Sequence, residues 1–236
     1  MTGKGYVQAE VLLALGSEQM RVTTVSIEEG SARSALLLSL LSSLLYGSQY
    51  VVIKDGMGGT NPLLFGSMTM GIGGVLTFLL VIRRKGLDLS IFRRWEVWAG
   101  SLFATSLIAC QYIGLTLSPA SVGGLIVGGN VIFVAPLSAL IFHEKIGWRR
   151  ALGVAIGLLG LVTITTGWDL SFLGSSAFTG DLLLLMASFS IAANYPLTKL
   201  AVRNMGNDEW VMSIHLLSAL CLLLISPLGG GQGDLG

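Results

Sequence analysis

Residues 97–143 read VWAGSLFATSLIACQYIGLTLSPASVGGLIVGGNVIFVAPLSALIFH and contain no Asp, Glu, Lys or Arg. This apolar stretch is too long for one membrane helix, because a helix needs about 20 residues to cross the hydrocarbon layer. A break is expected at Ser118-Pro119-Ala120-Ser121, where Pro119 favours a tight turn. The stretch therefore predicts two helices that cross a bilayer and are joined by a short hairpin.

The composition of the whole chain agrees with a membrane protein. Of its 236 residues, 53% are hydrophobic and 11% are charged, and the mean hydropathy is +0.77. Soluble domains contain about 25% charged residues, so this chain could not cover a water-facing surface. The formal net charge is +1, and the basic residues lie between the apolar stretches. We therefore expect the lipid bilayer as a partner and no nucleic acid.

Charged residues mark the borders of the predicted helices, because an Arg or Lys at the centre of a membrane helix costs about 2.5 to 3.5 kcal/mol. Seven spans of roughly membrane length follow, at Ser34–Ile53, Pro62–Ile82, Val97–Leu117, Val122–Phe142, Arg150–Trp168, Gly180–Val202 and Trp210–Leu228. The predicted fold class is thus an all-α, polytopic transmembrane helix bundle.

The distribution of basic residues predicts the orientation of the bundle in the cell membrane. All but one of the 14 Lys and Arg residues lie in the amino-terminal segment or in the second, fourth and sixth loops, and the exception is Lys54. Cytoplasmic loops carry the excess of Lys and Arg. We therefore expect a cytoplasmic amino-terminal extension at residues 1–33 and an external Gly-rich tail at residues 229–236.

The sequence contains one candidate internal repeat. A shift of 145 residues aligns Tyr50-Val51-Val52-Ile53-Lys54 with Tyr195-Pro196-Leu197-Thr198-Lys199. A repeat unit of this length would hold five spans, which is an odd number. The second copy would then enter the membrane from the opposite face, as in the inverted repeats of many carriers.

The chain resembles the drug/metabolite transporter superfamily, in particular its EamA-type members. The residues that carry the likeness are Tyr46 to Lys54 at the end of the first span, Pro136 followed by His143-Glu144-Lys145-Ile146, and Gly153, Gly157 and Gly160. The resemblance implies ten helices in two inverted five-helix halves, with a substrate cavity between the halves. It makes residues 34–168 a first repeat and residues 180–228 the start of a second, so a truncated chain lacking about three helices is expected.

Uncharged polar side chains within the spans are the candidate substrate-binding residues. An amide or phenol without a partner in hydrocarbon costs several kcal/mol, so such groups should face protein, water or substrate rather than lipid. Bonding between helices is the alternative for each of them. Asn130 is the first choice, because small residues surround it near mid-membrane. The full set is Gln49, Tyr50, Gln111, Tyr112, Asn130, Asn194 and Tyr195.

Three further residues are candidates for movement or coupling. Pro136 lacks a backbone donor and would act as a hinge or as a static bend. Glu144 lies near Arg149 and Arg150 at the end of the fourth span, where it would form a gate or an interfacial ion pair. His215 in the seventh span is a candidate proton site, although a partly buried histidine bonded to a neighbouring carbonyl is the favoured interpretation.

These patterns favour a secondary carrier that exports a small organic solute or metabolite by alternating access. The alternative is a non-transporting or inactive truncated subunit, completed by a partner half or by a second copy of itself. An enzyme is not expected, because no acid, base or metal-ligand motif lies at depth. Cys110 and Cys221 lie within apolar stretches, so neither a metal site nor a cofactor is predicted.

Overall fold

The computed structural model describes residues 29–86, 88–142, 147–166 and 175–229. Glu144, most of the predicted amino-terminal extension and most of the Gly-rich tail therefore lie outside the described residues. The chain forms two compact units, Met1–Gln49 and Tyr50–Gly236. The first helix contributes to both units.

The described residues form helices and turns, with no strand, which confirms the predicted all-α class. The α-helices are α1 (Glu29–Met57), α2 (Pro62–Lys85), α3 (Trp95–Leu117), α4 (Ala120–Gly128), α5 (Val131–Phe142), α6 (Trp148–Thr166), α7 (Ser176–Ala201) and α8 (Asn207–Ile225). Short 3-10 helices occupy Leu89–Arg93 and Ser226–Gly229.

Six stretches of the described residues are long and apolar enough to cross a membrane, and they coincide with six of the predicted spans. They are Leu36–Met57, Pro62–Arg84, Trp95–Leu117, Ala120–Ile141, Ser176–Ala201 and Asn207–Ile225. Helix α6 occupies the position of the remaining predicted span, the fifth along the chain. The chain is therefore a multi-pass membrane protein.

The predicted fourth span is broken near its middle rather than continuous. Helix α4 ends at Gly128 and α5 begins at Val131. The Asn130 amide bonds to the Val127 carbonyl three residues back, which is a tighter pattern than that of an α-helix. The low helix propensity of Gly128-Gly129-Asn130 explains why the break falls here.

The outer surfaces of the helices suit lipid rather than water. In the first unit Leu37 is 65% exposed and Leu44 is 71% exposed, and in the second unit Ile72 is 65% exposed and Leu140 is 74% exposed. Contiguous apolar surface of this kind is rare on soluble monomers. In a bilayer these side chains contact acyl chains.

The core of the second unit is built on two helix pairs, in which α3 packs along α7 and α2 packs along α8. Glycines allow the close approach. A Cβ atom on Gly114 would lie 2.9 Å from the Gly180 carbonyl oxygen, and one on Gly74 would lie 2.8 Å from Leu216 Cδ2. Small residues are typical of membrane helix interfaces, where backbones must come close to gain dispersion energy.

The ends of neighbouring helices meet as expected for a chain that crosses a membrane back and forth. Arg84 Nη1 at the end of α2 lies 3.2 Å from Asp208 Oδ2 at the start of α8. Lys54 Nζ near the end of α1 lies 2.6 Å from the Ser118 carbonyl oxygen, which follows α3. The second and sixth predicted loops therefore share one end of the bundle, while the cytoplasmic identity of that end remains a prediction.

Candidate functional site

A cluster of polar side chains connects the end of α1, the turn between α3 and α4, and α7. We call Lys54, Ser118 and Asp181 the polar triad. Ser118 Oγ lies 2.7 Å from Asp181 Oδ1, while Lys54 Nζ donates to the Ser118 carbonyl oxygen at 2.6 Å. Asp181 is 3% exposed and Ser118 is 1% exposed. Two ionisable groups are thus held together at one end of the second unit.

Local sequence explains how Ser118 reaches this position. Its backbone amide bonds to the Gly114 carbonyl at 2.9 Å and closes the last turn of α3. Pro119, which has no amide hydrogen, then precedes α4. On the opposite side, a Cβ atom on Gly180 would collide with Ser118 Oγ. Glycine at this position lets the hydroxyl reach Asp181, one residue farther along α7.

Sequence reasoning did not identify the polar triad. The sequence pattern singles out Lys54 only as the basic residue outside the predicted cytoplasmic loops and Ser118 only as part of the expected turn, and it does not single out Asp181. The signal that was available is that Asp181 lies one residue inside the predicted span that begins at Gly180. A carboxylate there must find a partner within the protein.

The predicted residues Tyr50 and Tyr112 lie in the same buried cluster. Each is 3% exposed. The Tyr50 ring lies against Gly124, where a Cβ atom would be 3.4 Å from it. The Tyr112 hydroxyl lies 3.1 Å from Thr69 Oγ1 of α2, so it joins α2 to α3. Tyr50 precedes Lys54 by four residues, which places it about 6 Å deeper along α1.

The predicted residue Gln111 lies on the face of α3 that packs along α7. It precedes Gly114 by three residues and Ser118 by seven, so all three share one helix face. Gln111 is 4% exposed. Ser188 on α7 is fully buried, and among the described residues its hydroxyl has no hydrogen-bond partner.

Ser188 belongs to the face of α7 that meets α3. It follows Gly180 by eight residues and Leu184 by four, and both of these contact Gly114. Since Ser106 on α3 bonds to Ser190 on α7, the antiparallel register brings Gln111 to the level of residues 185–188. The unbonded Ser188 hydroxyl and the Gln111 amide therefore share the interface between these helices.

Two other predicted residues have local or structural bonds. The Asn130 side chain donates to the Val127 carbonyl at 3.0 Å and supports the break between α4 and α5. With its oxygen and nitrogen exchanged, the Asn194 side-chain amide donates to the Gly100 carbonyl at 3.3 Å. Its oxygen then accepts from the Ala104 backbone amide, also at 3.3 Å. It therefore joins the middle of α7 to α3.

The remaining predicted residues are not brought into this interface. Tyr195 is 52% exposed on the surface of α7. Pro136 lies within α5, and His215 is partly buried in α8. Gln49 is the last residue of the first unit, and Glu144 falls outside the described residues. Substrate, hinge and proton roles for these residues stay predictions.

The residues of the α3–α7 interface and the polar triad supply hydroxyl, amide, carboxylate and ammonium groups within an otherwise apolar bundle. Such groups can bind the polar parts of a small molecule by hydrogen bonds and charge. Within the described ranges there is no group of three or more His, Cys, Asp or Glu side chains that could hold a metal ion.

Several curated proteins are similar to this chain. An uncharacterized transporter of Bacillus subtilis, YoaV, is 28% identical over 200 residues, covering 80% of this chain and 65% of its own length. Probable amino-acid metabolite efflux pumps of Salmonella typhimurium and Escherichia coli are 27% and 24% identical, covering 79% and 78% of this chain and 60% and 59% of their own lengths. The chain thus spans about three-fifths of the length of these relatives.

No solved structure matches the chain. The model of one protein family does match, over residues 33–166, which is more than half of the chain. That range begins just before the first predicted span and ends with α6, and it therefore coincides with the five spans predicted to form a first repeat. By this match, the chain belongs to the EamA-like transporter family.

Proposed function

We propose that this protein is a secondary carrier that exports a small, neutral or zwitterionic organic solute by alternating access. The observation that carries the proposal is the unbonded Ser188 hydroxyl, which is buried between α3 and α7 together with the Gln111 amide. A buried polar group without a partner is costly in an apolar medium. A polar solute would supply the missing hydrogen bonds during transport.

The chemistry of the interface supports the class of solute. An amide both donates and accepts hydrogen bonds, as does a hydroxyl. Neither group carries a charge, so the interface suits a solute with no net charge. Two of the similar proteins are named probable amino-acid metabolite efflux pumps, and an amino acid is a zwitterion that such groups can bind.

Alternating access would require α3 and α7 to separate on one side of the solute at a time. The close contact of Gly114 with Gly180 lies about 5 Å from Gln111 along α3. On the other side, the Asn194 amide holds the same helices together. Gln111 and Ser188 therefore lie between two sets of contacts, either of which could open.

Export of neutral amino acids from cells that express the protein tests the proposal. Cells are loaded with labelled amino acids, and the label that appears in the medium is measured over time. We expect Gln111→Ala to slow export, because loss of one hydrogen bond worth about 1 kcal/mol weakens apparent affinity roughly fivefold. Ser106→Ala is the matched control, since that side chain is already bonded to Ser190.

If Gln111→Ala cells export as fast as cells with the parent protein, and both contain equal protein in the membrane, the α3–α7 interface does not take part in transport. Export that does not exceed that of cells lacking the protein would contradict the proposed function as a whole.

A further inference from the structure

We propose that the polar triad is a proton-binding site, at which Asp181 takes up and releases one proton. In a carrier, this site would couple transport of the solute to a proton gradient, and that physiological role rests on the proposed function. The protonation itself is independent of transport. It is argued from the geometry around Ser118.

The Ser118 hydroxyl lies near two acceptors but has a single hydrogen. Its oxygen lies 2.7 Å from Asp181 Oδ1 and 3.1 Å from the Ala177 carbonyl oxygen. If Asp181 is ionised, both neighbours are acceptors, and the hydroxyl can donate to one of them at a time. If Asp181 is protonated, its O–H donates to Ser118 Oγ, and the Ser118 O–H donates to Ala177. The protonated acid satisfies both contacts at once.

The position of Lys54 agrees with a neutral acid. Lys54 Nζ donates to the Ser118 carbonyl oxygen rather than to a carboxylate oxygen. Within the described residues the recorded ion pair is that of Arg84 with Asp208, on other helix ends. A buried ionised carboxylate would be expected to draw a nearby ammonium group into direct contact, because such charges are rarely left unpaired.

Lys54 is the charged group that faces Asp181 from the elements packed around it. On α3 the nearest titratable side chains are those of Tyr112, which is bonded to Thr69, and Cys110. Residues 120–142, which include α4 and α5, contain no Asp, Glu, Lys, Arg or His. The basic residues of α6 and α7 lie at the far ends of those helices, at Arg149, Arg150 and Lys199.

Release of the proton would change the contacts that hold this end of the bundle. The carboxylic acid becomes a carboxylate, and its proton passes to water. The Ser118 hydroxyl then turns to the carboxylate and away from the Ala177 carbonyl, which keeps its helical bond. The carboxylate also attracts Lys54, which can leave the Ser118 carbonyl. Protonation would thus bias the position of the end of α1 relative to the α3–α4 turn and α7.

Infrared difference spectroscopy of the purified protein in lipid vesicles tests this site. Spectra are compared between acidic and alkaline buffer, and the carbonyl band of a protonated carboxylic acid is followed. The chain has 13 Asp and Glu residues, so several acids contribute to this band, and we expect one pH-dependent component of it to be lost in Asp181→Asn. The variant should fold, because the Asn amide can donate to Ser118 Oγ as the protonated acid does. Asp208→Asn is the matched control and should retain the band.

An Asp181→Asn spectrum that retains every component of the parent band, or a parent protein without any such band, would overturn the proposal. If Asp181→Asn fails to fold, Ser118→Ala decides the matter. Loss of the hydroxyl should shift the band, whereas an unshifted band would show that no proton is shared with Ser118. If the band behaves as expected but the protein exports nothing, the proton site is supported and the proposed transport is refuted.

Discussion

Two serines on α7 differ in a way that separates a binding role from a structural role. The Ser190 hydroxyl donates to the Met186 carbonyl at 2.8 Å, and its oxygen lies 3.1 Å from the Ser106 hydroxyl. The Ser188 hydroxyl, two residues earlier, is fully buried and has no partner among the described residues. A structural serine would be expected to show the first pattern, because buried polar groups are normally bonded.

Ser188→Ala is therefore expected to leave stability unchanged or slightly increased, because it removes an unsatisfied buried group. Export should nonetheless be slower. Ser190→Ala should instead lower stability by about 0.6 kcal/mol, the typical value of a polar contact between membrane helices, and should leave export intact. Thermal unfolding in detergent together with the export assay measures both effects. If Ser188→Ala lowers stability without slowing export, and Ser190→Ala slows export without lowering stability, the binding role of Ser188 is contradicted.

Gly180 is the residue at which the smallest added group should have the largest effect. A Cβ atom there would lie 2.7 Å from Leu117 Cβ and would also collide with Ser118 Oγ. We expect Gly180→Ala to lower stability by about 1–3 kcal/mol, as for other overpacked cores. Gly73→Ala is the matched control, because open space surrounds that position. The melting temperatures of the two variants should differ clearly, and equal values would show that α3 and α7 are not so closely packed.

At the scale of the helices, the sequence was sufficient to place the elements. The helices begin and end within a few residues of the predicted spans, because the cost of burying charge is large and local. It was not sufficient to assign the polar residues. Asn194 joins α7 to α3, and its role in a cavity lining stays a prediction, since the face on which an amide lies depends on the neighbouring helix.

The proposed repeat illustrates the same limit. Tyr50 and Tyr195 align when the sequence is shifted, yet the first is 3% exposed and the second is 52% exposed. A short sequence match fixes residue type but not the surroundings of the side chain. The repeat and its inversion therefore stay predictions.

Trp210 holds α8 against α3 and α7. It is 1% exposed, and its ring occupies the space above Gly100. Its Nε1 donates to Thr198 Oγ1 at 3.0 Å. We expect Trp210→Ala to lower stability by about 3–5 kcal/mol, because it removes a large buried side chain and leaves a cavity.

Trp95→Ala is the matched control for this change, since Trp95 is 62% exposed and leaves no cavity. Unfolding of both variants in the same detergent gives the comparison. Similar losses of stability in the two proteins would show that Trp210 does not anchor the helix.

At the scale of the whole molecule, the orientation in the membrane can be tested by labelling. After replacement of Cys110 and Cys221 by Ala, a single cysteine is introduced at Thr60 or at Asn204. Both positions are exposed in turns between helices. The bias of basic residues predicts that Thr60 lies outside the cell and Asn204 in the cytoplasm. An impermeant maleimide should therefore label Thr60→Cys in intact cells, and should label Asn204→Cys only after the cells are permeabilised. The reverse pattern would invert the topology.

Counterflow into lipid vesicles is the most direct test of the claim that this EamA-family protein carries a solute. The purified protein is reconstituted in vesicles loaded with an unlabelled neutral amino acid mixture, and trace labelled amino acids are added outside. We predict transient accumulation of label above that in protein-free vesicles, and a smaller accumulation with Gln111→Ala. Accumulation equal to that in protein-free vesicles, from protein that is folded and inserted, would contradict the account.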